Sequence, residues 1–439
     1  MIGLQIGLAF MAVVSLNPYF MWGYQKVYYA VATLIILGSV AVCPRILSLT
    51  RERLALCFAF SLFLIYLSLL PKVHGGITRW FLLIPFTVAL LTVGQEDLRR
   101  VFEKFYWVFA LSLVPGILVW VWIVAGLPFE FRWMTPPSDI VQRGMVAYGE
   151  RPGVVVLLDN SMVLPNGGIM FRFCGMLDEA GTVGTIAALC LAAARFRLWD
   201  IRGAISFIAG IMSFSIAFAV LTVVGFIATA VASKRPWLLV AALTSIVAGA
   251  IPLSGLKFDN DETIITNVTI VMPSARTTPT TNDDAPITRE RFSPPSSSRI
   301  RQATDFDDRA QAGMRQLFGE YSRSSARTLL FGLASDASIV YGEASAVWYS
   351  VLTNYGIVGF AWLFILFFTP LLYLWRSGRL DILVVIFCAL FLMSFYQRPV
   401  IWLPAQLLIY FAGLYYFESS HARPKPPHQD PPAINSSSP

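Results

Sequence analysis

Histidine is almost missing from this 439-residue chain, with His74, His421 and His428 the only three. None falls in the two long polar segments that flank the mid-chain and late apolar runs, so neither a histidine base nor a histidine metal ligand is expected there. Cysteine is scarce too. Four of the five, Cys43, Cys57, Cys190 and Cys388, lie in apolar runs, where they act as small hydrophobes, and only Cys174 lies near an interface. No Cys-x-x-Cys occurs, which excludes a zinc ribbon and a disulfide framework. No internal repeat and no Gly-rich nucleotide loop is present. No Lys or Arg precedes the first apolar run and no small-residue cleavage site follows it, so the run reads as a retained span.

What the chain has is apolar residue. The hydrophobic fraction is 56%, the charged fraction 13% and the mean hydropathy +0.65. These values predict an all-α, polytopic integral membrane helical bundle. Apolar runs lie at about 4–22, 27–43, 54–70, 80–94, 106–127, 177–194, 237–255, 346–373, 380–396 and 400–417, each near the ~20 residues needed to span a bilayer. Between Arg202 and Lys234 the uncharged stretch is too long for one upright span. Arg195, Arg197 and Arg202 precede it, and Lys234 and Arg235 follow it. Short basic loops stay inside, so both ends face the cytoplasm and the stretch must be a hairpin, broken at Met212 to Phe218. That gives about twelve spans with both termini inside. The net charge of +7 then reports orientation, not nucleic acid.

The expected organisation is 1–127, helices one to five; 128–255, a first outer segment and helices six to nine; 256–345, a large periplasmic loop; 346–417, the last three helices; and 418–439, a cytoplasmic tail. The loop opens with a Pro-, Ser- and Thr-rich stretch, and this and the tail read as disordered. Further on, Phe306, Ala310, Met314, Leu317 and Tyr321 recur at helical spacing and predict an amphipathic helix over Asp305 to Tyr321, lying on the membrane or packed on the bundle.

The polar residues at the outer ends need a reason. Arg172, Asp178 and Glu179 stand at the mouth of an apolar run beside Gly181 and Gly184. A lone arginine there can snorkel, but the charged group as a whole fits a wet pocket between helices. Arg143, Glu150 and Arg151 belong to the same outer segment, and Arg315, Arg323 and Arg327 to the late loop. Arginine forks bind phosphate oxygens in pairs and do not deprotonate, so several suit a diphosphate, while each alone also fits a solvated ion pair. Glu343, just before a span, is either a solvated cap or a rim carboxylate able to accept a proton from a hydroxyl. The Asp-x-Asp spacing within Asp305 to Asp308 has the look of a divalent-metal site, but acids at a helix start are favoured by the dipole, and that reading is preferred. Gly356 and Gly359 read as helix-packing positions.

Two stretches carry a family resemblance. "RFCGMLDEAGTVGT" precedes a mid-chain span, and "LLFGLASDAS" with "WYSVLTNYGIVG" closes the late loop. In this order they resemble the O-antigen polymerase and ligase superfamily, whose members share Arg-x-x-Gly-hydrophobic-x-acid ahead of the mid-chain helix. Arg172, Gly175 and Asp178-Glu179 stand in that pattern, with Ala180 where proline is common. Phe331-Gly332 and Asn354 to Gly359 stand in the second. The hairpin break matches the place of two short helices in such proteins, without the arginine common there. The late loop has no histidine, and Ser345 stands where a ligase has one, which favours a polymerase.

The resemblance implies a membrane-embedded glycosyltransferase of the C type that needs no metal or other cofactor. Its donor and acceptor would be glycans on polyprenyl diphosphate, handled at the periplasmic face of a bacterial inner membrane, with a chain-length regulator and a flippase as partners. Arg172 leads the expected diphosphate ligands, then Arg143 or Arg151, with Arg315 or Arg327 from the late loop. Glu343, or failing that Asp178 or Glu179, would accept the acceptor's proton. Competing expectations are a ligase transferring glycan to a lipid or protein, a transporter or flippase, and a peptidoglycan polymerase relying on Asp336.

Overall fold

The structure, a computed structural model, describes residues 2–44, 47–73, 75–76, 78–125, 127–134, 136, 148–157, 161–163, 169–234, 237–239, 268–271, 312–340, 348–396 and 398–419. Apolar runs within these residues form helices. In chain order they are α1 (Ile2–Val14), α2 (Gln25–Val42), α3 (Arg51–Leu69), α4 (Ile84–Thr92) and α5 (Gln95–Val124). Then come α6 (Ala180–Ala193), α7 (Ile201–Met212) and α8 (Ile216–Ser233). Three short helices follow, α9 (Ala312–Ser322), α10 (Ala326–Phe331) and α11 (Ala337–Val340), before α12 (Tyr349–Arg376), α13 (Ile382–Phe395) and α14 (Pro404–Ser419). By length and composition five, α2, α3, α5, α8 and α12, are able to cross a membrane, and α1, α4, α6, α7, α13 and α14 are apolar but shorter. The run at 237–255 lies outside the described residues apart from its first turn.

The stretch after Arg202 is two helices. Met212 ends α7, Phe214 takes a left-handed φ of +46°, and the Ser215 hydroxyl caps α8 by accepting from the Phe218 N–H. Close approach of α6 to this turn requires a residue without a side chain: a Cβ on Gly184 would lie 2.4 Å from Cβ of Ser215. One continuous apolar cluster fills the bundle, with Phe60, Phe63, Phe105, Leu189, Trp402 and Leu408 all enclosed.

The two bundle ends are built differently. At one, Gln5 donates to Asp97, Arg53 donates to the Val93 carbonyl, and Arg202 pairs with Asp200 while lying over the Tyr106 and Trp107 rings. Arg195 and Arg197, between α6 and α7, belong to the same end, and so do Arg376 and Arg379, since α12 begins beside the end of α3 opposite Arg53.

The other end carries strands, which an all-α expectation did not include. In one four-stranded sheet β1 (Phe129–Met134) pairs antiparallel with β2 (Tyr148–Arg151), β2 with β3 (Val154–Leu157), and β1 in parallel with β6 (Val268–Val271). A separate pair joins β4 (Ser161–Val163) to β5 (Ile169–Phe171). β1 alternates, burying Phe131 while Glu130 and Arg132 are exposed, and Phe131, Val154 and Val156 pack on Val119 and Ile123 of α5. The β1–β6 pairing ties the first outer segment to the start of the second. Nearby, α9 packs on the bundle: Leu317 and Tyr321 are 4% and 3% exposed, and the Phe318 ring lies 4.9 Å from that of Tyr349. Of the amphipathic helix expected over Asp305 to Tyr321, the described part is Ala312–Ser322, and this part packs on α12.

Candidate functional site

Two polar assemblies occupy the strand-bearing end. The first is built on residues 172–179. The Phe173 N–H donates to the Met212 carbonyl at 3.2 Å and the Val155 N–H to the Gly175 carbonyl at 2.7 Å, so this segment is stitched between the hairpin turn and β3. Arg172 follows from that path: Nε donates to Ser213 O at 3.2 Å and Nη2 to Phe214 O at 3.3 Å. These are carbonyls at the C-terminal end of α7, where a cation is favoured by the helix dipole. Nη1 has no hydrogen-bond partner among the described residues.

Opposite stands Arg398, in the short link from α13 to α14 and held by its own N–H to the Ser394 carbonyl at 2.8 Å. Its Nη2 is 2.7 Å from Glu179 Oε2, an ion pair lacking hydrogen-bond alignment, and its buried Nε has no hydrogen-bond partner. Gly181 leaves room for this pair, since a Cβ there would be 3.0 Å from both Arg398 Nη2 and Glu179 Oε1. Arg172 feels both groups. Burial pushes its guanidinium below the ordinary arginine value, Cys174 and Glu179 act in the opposite sense, and Arg398 repels it. Arginine nevertheless stays charged. The arrangement is therefore two cations and one anion, with donor capacity unspent. It suits a multiply charged oxyanion.

Asp178 is 5% exposed, and its Oδ2 accepts from Asn17 Nδ2 at 2.9 Å while the Tyr148 hydroxyl donates to its carbonyl at 2.8 Å. The Tyr19 N–H donates to the Met176 carbonyl at 2.9 Å, so the α1–α2 link backs this segment.

The second assembly is a backbone interlock. α12 is broken at Gly356, with φ 65° and ψ −176°. A Cβ on Gly356 would lie 2.3 Å from Leu330 O, and one on Gly332 2.3 Å from Asn354 O, so the two main chains touch and only glycine fits either place. Leu333 N–H donates to Thr353 O at 2.8 Å, and the Asn354 amide exchanges bonds with Ser338 N–H and Oγ, both at 2.9 Å. The Tyr66 hydroxyl takes the Tyr355 carbonyl freed at the break, at 2.7 Å. Gly359 fits the packing expectation, with Tyr66 beside it; Gly356 is a turn inside a helix.

Of the residues singled out from sequence, Arg172 and Glu179 come together, with Arg398 added, while the Asp178 carboxylate takes Asn17. Arg151 is exposed and pairs with Glu130 at 3.5 Å, across the sheet. Arg315 and Arg327 are exposed on α9 and α10, which pack against α12. Arg143, Glu343 and Asp305 to Asp308 lie outside the described residues. Asp336 accepts from the Val73 N–H at 2.8 Å. Arg398 and Asn17 escaped the sequence reading. The signal for Arg398 was a single cation followed by proline in the short link between two apolar runs.

Fold and site together define a mostly helical chain with apolar helices of membrane-protein type and a cationic, partly enclosed cluster at one bundle end. In comparisons with known proteins the chain matches no family model, no curated sequence and no solved structure.

Proposed function

We propose that this chain is a membrane glycosyltransferase that polymerises oligosaccharide units carried on polyprenyl diphosphate into O-antigen, capsule or exopolysaccharide. The bundle crosses a bacterial inner membrane about twelve times. Its basic end lies in the cytoplasm and its strand-bearing end in the periplasm. The observation that carries this reading is the convergence of Arg172 and Arg398, from distant parts of the chain, on Glu179 with donors left over.

An acceptor hydroxyl attacks C1 of the donor sugar while the bond from C1 to the diphosphate oxygen breaks. Negative charge grows on the leaving diphosphate, and two fixed guanidinium groups in a partly enclosed site stabilise that state more than the bound donor. The hydroxyl proton passes to a carboxylate. Glu343 is the first candidate, because Glu179 is held by Arg398 and Asp178 by Asn17. Arg172 also orders the hairpin turn, which leaves Nη1 to reach the diphosphate from a fixed base. Arg143, Arg151, Arg315 and Arg327 belong to the wider cationic surround that draws in the lipid-linked substrate.

Alanine replacements of Arg172 and Arg398 in the producing cell test the proposal, scored by polysaccharide length on a gel with protein level checked in membranes. Single-unit product is expected. Full-length ladders at normal protein level would overturn the reading, and normal ladders on the lipid carrier that fail to reach the final acceptor would point to a ligase.

A further inference from the structure

The strand-bearing end also holds a cavity of about 540 Å³ between α9 and the link that follows α3. Its size falls in the range of small-ligand sites, roughly 300–1,000 Å³. Lys72, Gln316 and Glu320 supply its polar lining and Leu317, Leu333 and Ala334 its apolar lining. The walls are set by the fold. Ser335 N–H donates to Pro71 O at 2.9 Å and Val73 N–H to Asp336 Oδ1 at 2.8 Å, tying one wall to the other, while the Tyr321 hydroxyl fixes α9 to Leu329 O at 2.7 Å.

The chemistry of the lining narrows the ligand. Lys72 and Glu320 carry opposite charges, so the cavity offers no field of one sign and does not suit a diphosphate. An acyl chain would strand the three polar side chains. Gln316 donates to Glu320 at 2.9 Å, which aligns an amide and a carboxylate along one helix face. Hydroxyl groups both donate and accept, and so match an amide, a carboxylate and an ammonium at once, while the C–H faces of a sugar ring suit leucine and alanine. Behind the cavity, the Tyr355 hydroxyl donates to Ser335 O at 3.4 Å, and the Tyr355 ring packs 5.7 Å from that of the enclosed Trp402, in the same link as Arg398.

We propose that this cavity is a saccharide site that holds the acceptor glycan by neutral, hydroxyl-rich sugar units and so sets which sugar is extended. The acceptor role rests on the transferase reading; the saccharide site itself does not. The test uses the full chain in lipid nanodiscs, with saturation-transfer NMR of short neutral oligosaccharides cleaved from the producing cell's own polysaccharide. Ala334→Trp fills the space, and Glu320→Lys, at an exposed position, removes the balancing charge without touching the core. Both are expected to weaken saccharide binding at least tenfold, about 1.4 kcal/mol, whereas Arg172→Ala leaves it unchanged. No binding to the unaltered chain, or equal binding by both cavity variants, would overturn the site. Persistent ladders in the arginine variants together with saccharide binding lost in the cavity variants would remove the transferase reading and leave the saccharide site standing.

Discussion

The glycine interlock and the arginine cluster lie at the same end of the bundle, yet they treat their polar groups in opposite ways. Around Gly332 and Gly356 the groups freed by the helix break find protein partners: Tyr355 O takes Tyr66, the Asn354 side chain takes Ser338, and Thr353 O takes Leu333. Around Arg172 and Arg398 donors are left without partners, one of them a buried guanidinium nitrogen. Satisfied polar contacts fix a fold, whereas unsatisfied buried ones call for a ligand or water. Trp80 and Trp402, packed near Tyr355, also bury indole nitrogens with no hydrogen-bond partner among the described residues, so what separates the fastening from the binding place is the unspent charge of a guanidinium.

Substitutions can break that contrast. The largest effect is expected at Gly356→Ala, where a methyl group meets the Leu330 carbonyl at a positive φ: a loss of about 3 kcal/mol or more, read as failure to purify monodisperse protein. Arg398→Ala should leave the protein folded but slow chain growth about 10²–10³-fold, the scale for losing a transition-state donor, measured by polymer formation from lipid-linked units. A matching loss of folded protein would assign Arg398 to the fastening instead. Tyr66→Phe removes one hydrogen bond to the break and should cost about 1 kcal/mol with chain growth retained, seen as a lower melting temperature. Arg151→Ala, which removes an exposed pair with Glu130, should shift stability by less than about 1 kcal/mol, and polymer length serves to show whether this arginine reaches substrate at all.

The helices were legible in sequence because a long apolar helix needs an unbroken apolar run. The charge argument that split the stretch after Arg202 required a turn within Met212 to Phe218, and the turn is at Ser213 to Ser215. The strands were not legible. Units of three to six residues such as β1 and β5 give too short an alternation to register, and the parallel partner β6 is far away in the chain. Within the site, Arg172 and Glu179 stood out because charge at a span mouth is costly. Arg398 did not, since one cation in a short link is ordinary until its neighbour across space is known. The break at Gly356 was hidden for a related reason: glycine in an apolar helix usually serves packing, and only the approach of Leu330 shows that a positive φ is needed.

Arg172 spends two of its nitrogens tying off the carbonyls where α7 gives way to α8. Under the proposed function, a diphosphate on the remaining nitrogen is coupled to that knot, and by reciprocity the knot to the diphosphate. Occupancy and the poise of the helical hairpin thus become two readings of one equilibrium. A spectroscopic label on Phe214 would register the arrival and departure of an anion without touching it.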